Sequence, residues 1–279
     1  MLPEGMLRLA WIVVATGCGR LAFDPIEDAP GDVAFGAWSA PVQIPILGTP
    51  GAKEDATGSS TKTELIFRLG AGDLYAMTRT TPDDPWGIPQ ALASLNTPSF
   101  EGAPRLSTSD LTLYFQSNRA GGLGLEDIYA TSRASVGAAW GPVTSVGYAS
   151  TAAVDKWLTV CDANRYMVVH VVAGRDTIFE GVVGSPASPV TELNTGSESS
   201  VQLMSDCLTV YFNSNRDGTS DILFAQRSTV DDAWGAPSAF VEANLSTGGE
   251  QDAWMSPDLR LFTFASDRAG TSDLYMMTR

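Results

Sequence analysis

EGAPRLSTSDLTLYFQSNRAGGLGLEDIYATSR, residues 101–133, returns as ESSVQLMSDCLTVYFNSNRDGTSDILFAQR at 198–227 and as EQDAWMSPDLRLFTFASDRAGTSDLYMMTR at 250–279. Two diverged copies begin at Glu54 and Asp155. Self-similar units of this size stack and bury a shared core. In the copies apolar residues stand twelve and fourteen positions after the leading acid: Leu113 and Phe115, Met167 and Val169, Val210 and Phe212, Phe262 and Phe264. Apolar residues two apart mark a strand with a buried face. The first copy gives Ile66 at twelve and, as an exception, Arg68 at fourteen.

The other elements fall into place around this strand. Pro104-Arg105-Leu106 and Ala253-Trp254-Met255 form a strand upstream of it. Ser107-Thr108-Ser109-Asp110 or Ser256-Pro257-Asp258 makes the turn between, with side chains that bond their own backbone. A third strand opens at Asp73, Asp127, Asp176, Asp221 or Asp273, after a hairpin connection carrying Ser117-Asn118-Arg119, Ser214-Asn215-Arg216 or Ser266-Asp267-Arg268. A fourth follows Trp86-Gly87-Ile88-Pro89, Trp140-Gly141-Pro142 or Trp234-Gly235-Ala236-Pro237, read as packing and turn features; the third copy has only Gly184-Ser185-Pro186.

Four strands per unit describe a propeller blade. The fifth copy stops at Arg279, after its third strand, and Trp38-Ser39-Ala40-Pro41-Val42 has the form of the missing fourth. The expected fold is all-β: a five-bladed β-propeller of four-stranded blades over residues 35–279, the last blade combining 35–50 with 249–279. Closure by the N-terminal strand leaves no sheet edge open to aggregation. An open solenoid would not need the split blade.

The string Pro-x-x-Ser-x-x-Asp, then Leu-Tyr-Phe-x-Ser-Asn-Arg, then Asp-Ile-Tyr resembles the WD-like propeller repeat of TolB-type periplasmic proteins. The resemblance spans about residues 38–279 and is strongest in the three clearest copies. The first copy lacks the Ser-Asn-Arg triplet, Gly174-Arg175 stands in for it in the third, and TolB's separate N-terminal domain has no counterpart. The resemblance implies binding or scaffolding and carries no shared catalytic residues.

Residues 1–18 read as a processing signal: the apolar run Leu9 to Ala15 follows Arg8 and ends in Ala15-Thr16-Gly17-Cys18, too short to span a bilayer. The segment resembles a bacterial lipoprotein signal with Cys18 as the lipidated residue, although Ala15 stands where leucine is usual; an ordinary secretion signal is the alternative. Residues 19–34 read as an acidic, proline-bearing tether. The expected location is the bacterial cell envelope, membrane-anchored and facing periplasm or exterior. Export permits a disulfide. Cys161 lies six residues after Asp155 and Cys207 nine after Glu198, so the reading favours two buried free thiols over a pair.

Seventeen basic against 32 acidic residues give a net charge of −15, which argues against nucleic acid and suits cationic partners or metal ions. The candidate site is the set of leading acids, Glu54, Glu101, Asp155, Glu198 and Glu250, each preceding the strand that lines a propeller's channel. Such acids could serve structure, accepting hydrogen bonds from backbone groups or from the Ser-Asn-Arg arginine of a neighbouring blade. They could also hold calcium, which takes oxygen ligands, or receive Lys or Arg from a partner. No other cofactor is expected. Asp83-Asp84 and Asp231-Asp232 read as solvated turn residues. His170, the only histidine, falls fifteen residues after Asp155, where Gln116 and Asn213 stand in other copies, and reads as a strand substitution. No phosphate loop, metal-spaced Cys/His set or dinucleotide fingerprint occurs.

The leading expectation is a non-enzymatic envelope scaffold binding a protein, peptide or glycan, with the diverged third blade, Asp155-Lys156-Trp157 and the His170 strand, as its distinctive surface. The alternative is a glycoside hydrolase drawing paired carboxylates from the acid set, such as Glu101 and Glu198.

Overall fold

A computed structural model describes residues 36–46, 50–245 and 248–279; Cys18, the signal-like segment and the tether lie outside the described residues. Five four-stranded antiparallel sheets form a five-bladed β-propeller. From the axis outward, blade 1 contains Lys53–Gly58, Glu64–Leu69, Asp73–Thr78 and Gln90–Ala91. Blade 2 contains Glu101–Leu106, Thr112–Ser117, Asp127–Ser132 and Thr144–Ser145. Blade 3 has Asp155–Val160, Arg165–Val172, Arg175–Val182 and Ser188–Pro189. Blade 4 has Glu198–Leu203, Thr209–Ser214, Asp221–Gln226 and Ser238–Ala239. Blade 5 takes Glu250–Met255, Leu261–Ser266 and Asp273–Thr278 from the C-terminus and Val42–Gln43 from the N-terminal side. The expected closure is therefore the one observed, with Val42 opposite Met276 and Gln43 opposite Tyr275.

Five apolar clusters, one at each blade junction, supply the core. They correct the frame in the two diverged copies. In blade 1, Lys53 pairs with Leu69 as Glu101 pairs with Ser117, so Lys53, not Glu54, occupies the leading position. The residues at twelve and fourteen become Leu65 and Phe67, both fully buried against blade 5, and the Arg68 exception disappears. In blade 3 the turn between the first two strands is shorter. Tyr166 and Val168 face blade 2, while Met167 and Val169 face blade 4. His170 consequently pairs with Asp155 at the place of Ser117, one position from where counting put it.

The Trp-Gly-Pro elements pack as read, against a partner the sequence reading left unassigned. The arginine directly after the third strand lies over the tryptophan of its own blade: Arg79 on Trp86 at 4.1 Å, Arg133 on Trp140 at 4.3 Å, Arg227 on Trp234 at 4.2 Å and Arg279 on Trp38 at 4.4 Å. The Nε–H of each arginine donates to a carbonyl of the first turn, at Lys62, Asp110, Cys207 or Leu259. Each accepting residue is left-handed, with φ of 60°, 60°, 62° and 57°, so its carbonyl is turned out of the ladder and needs a donor. Two of these arginines also reach across a junction: Arg133 to Glu64 at 2.6 Å and Arg227 to Glu180 at 2.8 Å.

Cys161 and Cys207 form a disulfide, with Cα atoms 5.4 Å apart, which corrects the expectation of free thiols. Counting failed because it asked for equivalent positions: the cysteines occupy opposite ends of the first turns of adjacent blades, and those turns meet in space. The Asp162 N–H donates to the Ser205 carbonyl at 3.0 Å beside the bond. Replacing both cysteines with serine is expected to lower unfolding free energy by roughly 2–4 kcal/mol, the usual effect of opening such a loop. Urea unfolding of variant and parent checks this, and reductant should destabilise only the parent.

Candidate functional site

Four of the five leading acids are engaged in holding linkers. Glu101, Asp155, Glu198 and Glu250 are fully buried. Glu101 accepts from the Thr97 N–H at 2.9 Å and hydroxyl at 2.6 Å, from Ser117 at 3.2 Å and from Arg119 at 2.9 Å. Glu198 accepts from Gly196 N–H, Ser214 and Arg216, and Glu250 from Leu245 N–H, Ser266 and Arg268. The arginine comes from the acid's own blade, not a neighbour's; it bridges blades by donating onward to the preceding linker, at Leu95, Leu193 or Ala243. Asp155 accepts from Thr151 and from His170 Nδ1, so one imidazole replaces serine and arginine together. Glu54 lies one step out of frame, part-exposed and paired with Arg68. Glu101 and Glu198, offered as a hydrolytic pair, are each spent within their own blades. The third-strand aspartates form ion pairs or cap turns: Asp273 pairs with Lys53 at 2.8 Å, Asp176 with Lys156 at 2.9 Å, and Asp127 caps the Leu123 and Gly124 N–H groups. Asp84 caps Thr81 and Asp231 meets Arg165.

The axis itself belongs to residues that repeat counting missed. Every innermost strand carries a bulge two residues beyond the leading position. The bulged residues are Asp55, Ala103, Trp157, Ser200 and Asp252, all left-handed with φ of 60°, 51°, 52° and 59° at the four non-alanine positions and 47° at Ala103. A bulge re-aims its side chain, and here it turns two carboxylates, a methyl, an indole and a hydroxyl inward. Asp55 accepts from Arg68 Nε at 2.7 Å, from the Ala103 N–H at 3.2 Å and from Trp157 Nε1 at 3.2 Å. Asp252 accepts from the Ser200 hydroxyl and from the Asp55 N–H at 3.1 Å. Burial, then the neighbouring Asp55, pushes the Asp252 carboxyl up to about 7. Burial works against the charge of Arg68, but Asp55 and Glu54 outweigh it and hold its pKa above the ordinary value.

One layer deeper, Arg105 closes the channel. It is 2% exposed and donates only to carbonyls: Val201, Ala56, Ser200 and Pro104 at 3.1–3.3 Å. Burial pulls its pKa down, with Asp252 and Asp55 opposing. Gln202 exchanges two hydrogen bonds with the Met255 backbone, and Trp254 packs over Gly58, where a Cβ would come within 2.6 Å of its ring. Beyond Arg105 remains a small recess of about 40 Å³, lined by Gln202, Trp254 and Met255 among others. Among the described residues no group of three or more His, Cys, Asp or Glu side chains is placed to hold a metal ion. None of the described helices is long and apolar enough to cross a membrane.

No family model and no curated protein matches the sequence. The fold is similar to solved propellers. TolB from Acinetobacter baumannii is 12% identical with a TM-score of 0.54, covering 80% of this chain and 53% of that one. The gluconolactonase XC5397 from Xanthomonas campestris is 10% identical, TM-score 0.54, covering 86% and 95%. A thermostable family-43 glycoside hydrolase is 11% identical, TM-score 0.56, covering 85% and 91%. These likenesses show the β-propeller fold, which proteins named as enzymes share with TolB; the count of five blades is read from this chain's own sheets.

Proposed function

We propose that this propeller is a non-enzymatic binding scaffold of the bacterial cell envelope, meeting a protein, peptide or glycan at its rim. The filled channel carries the reading: Arg105 plugs it with every bond made to backbone carbonyls, and Trp157 and Trp254 pack the layers on either side. The axial carboxylates of Asp55 and Asp252 are buried, so recognition falls to the loops, where blades differ. The second-to-third connection of blade 2 exposes Leu123 and Leu125, at 64% and 71%. The signal-like segment and the disulfide both suit an exported protein, and Cys18 supplies its lipid anchor.

Leu123→Ser with Leu125→Ser is expected to reduce capture of partners from solubilised envelopes while leaving the melting midpoint unchanged. Undiminished capture would remove that loop from the contact. The midpoint is also expected to be the same with calcium or chelator. The enzymatic reading has one observation in its favour: Asp55 and Asp252 sit in unlike environments, as an acid–base pair requires. Hydrolysis of aryl-glycosides or lactones by the parent, lost in Asp252→Asn, would replace the scaffold reading.

A further inference from the structure

In blades 2, 4 and 5 the space between the second strand, third strand and incoming linker is filled by an arginine. Arg119 donates to the Leu95 carbonyl at 2.7 Å and lies 5.3 Å from the centre of the Tyr129 ring. Arg216 donates to the Leu193 carbonyl at 2.7 Å, and Arg268 to Ala243 at 2.9 Å while lying 4.8 Å from the Tyr275 ring. Each also reaches its blade's leading acid.

Blade 3 keeps this frame without its arginine. Its second and third strands run on to Val172 and Arg175 and join through Ala173 and Gly174, with φ of 51° and 79°. Two left-handed residues make a tight hairpin turn, which has no arm to fold back over the linker. The matching ring is Phe179, opposite Val168 as Tyr129 is opposite Phe115. The matching carbonyl is that of Ala149, which no arginine reaches among the described residues; like Leu95, Ala149 sits three residues after the carbonyl its own N–H bonds. A groove of about 580 Å³ opens there, lined by Tyr148, Thr151, His170, Val171, Phe179 and Pro186 among others.

We propose that this groove receives an arginine side chain from a partner polypeptide, supplied in trans where blades 2, 4 and 5 supply their own. The inference rests on the scaffold reading and assigns it a contact. A guanidinium is planar, weakly hydrated and suited to aromatic faces and fixed acceptors. Tyr148 and Phe179 line the groove with rings. His170 Nδ1 lies 2.6 Å from the Asp155 carboxylate, and its ring packs edge-on against Phe179 with centroids 4.5 Å apart. A chain carrying −15 draws basic segments towards it. Lysine, a compact and strongly hydrated charge, fits this lining less well.

Because His170 is the only histidine, its imidazole resonances report the groove alone. The full chain should be titrated with acetyl-Ala-Arg-Ala-amide and with the same peptide carrying citrulline, its neutral isostere. Saturable shifts are expected with the arginine peptide, and binding at least tenfold weaker with citrulline. Ala152→Trp, at an exposed position on the groove wall, is expected to abolish the shifts while the melting midpoint holds. Unmoved resonances at millimolar peptide, an equal response to citrulline, or an undiminished response in Ala152→Trp would each overturn the assignment. Partner capture that persisted beside such a result would leave the scaffold reading standing and the groove without its ligand.

Discussion

Deleting residues 36–46 is expected to abolish cooperative folding of the ring, not merely to trim blade 5. The segment enters two cores at once. Trp38 packs into the junction of blades 4 and 5, with ring centres 6.0 Å from Phe240 and 6.2 Å from Phe262, and Arg279 lies over it at 4.4 Å. Ile44, 2% exposed, sits in the junction of blades 5 and 1. Between them Ser39 N–H donates to Thr278 at 2.9 Å and Ile44 N–H to Leu274 at 2.8 Å. Losing a buried tryptophan costs about 3–5 kcal/mol, with the partly buried Trp38 at the lower end, and a buried isoleucine about 2–5, before the exposed strand edge is counted. The sum is comparable to the whole stability of an ordinary domain, about 5–15 kcal/mol. Calorimetry should show no sharp transition, and size-exclusion chromatography should show association through the bared third strand. A cooperative melt within a few degrees of the parent would mean that the ring holds without its strap. Trp38→Ala should cost about 3 kcal/mol alone.

The undiverged blades were legible because each has the same count from leading acid to buried strand. Leu113 and Phe115, Val210 and Phe212, and Phe262 and Phe264 stand where the spacing put them. The same counting misled in blades 1 and 3 because an adjacent acid, Glu54, offered itself in place of Lys53, and because a shorter turn moved His170 onto the serine position. The disulfide was missed for another reason: it joins non-equivalent positions, which no comparison of offsets can pair. The arginine–tryptophan pairs were readable and passed over: Arg79, Arg133, Arg227 and Arg279 each end a third strand in blades that carry the tryptophan, and blade 3 lacks both. The axial residues were a different matter. Asp55, Ala103, Trp157, Ser200 and Asp252 share no common chemistry beyond the two aspartates, and only the bulge makes them equivalent. Strand alternation, the signal that works elsewhere, breaks at a bulge. Repeats reveal what every blade needs for folding; the residues that differ at the axis must be found in three dimensions.

The axis also sets an unusual pH dependence. Asp252, with its carboxyl pushed up to about 7 from the ordinary 3.8, keeps its proton in the folded ring through a range where the unfolded chain has lost it. Unfolding in that range releases a proton, so raising the pH favours the unfolded chain. The contribution is fully present below about pH 4 and is lost as pH climbs to about 7, at about 1.4 kcal/mol per unit, on the order of 4 kcal/mol across the window. The propeller is therefore expected to melt at a higher temperature at pH 5 than at pH 8, the opposite of a protein held by ionised carboxylates. Asp252→Asn removes the titrating group without breaking its contacts: Oδ1 can accept from the Asp55 N–H, and Nδ2 can donate to the Ser200 hydroxyl, which accepts as readily as it gives. The variant should lose the slope and exceed the parent in stability at pH 8, where the parent holds two buried carboxylates side by side. Arg105, tied to carbonyls, does not neutralise either directly. Chemical denaturation of both proteins from pH 4 to 8 decides the matter. Parallel profiles would show that Asp252 is ionised in the fold throughout, and that Arg68 and Arg105 carry the axial charge between them.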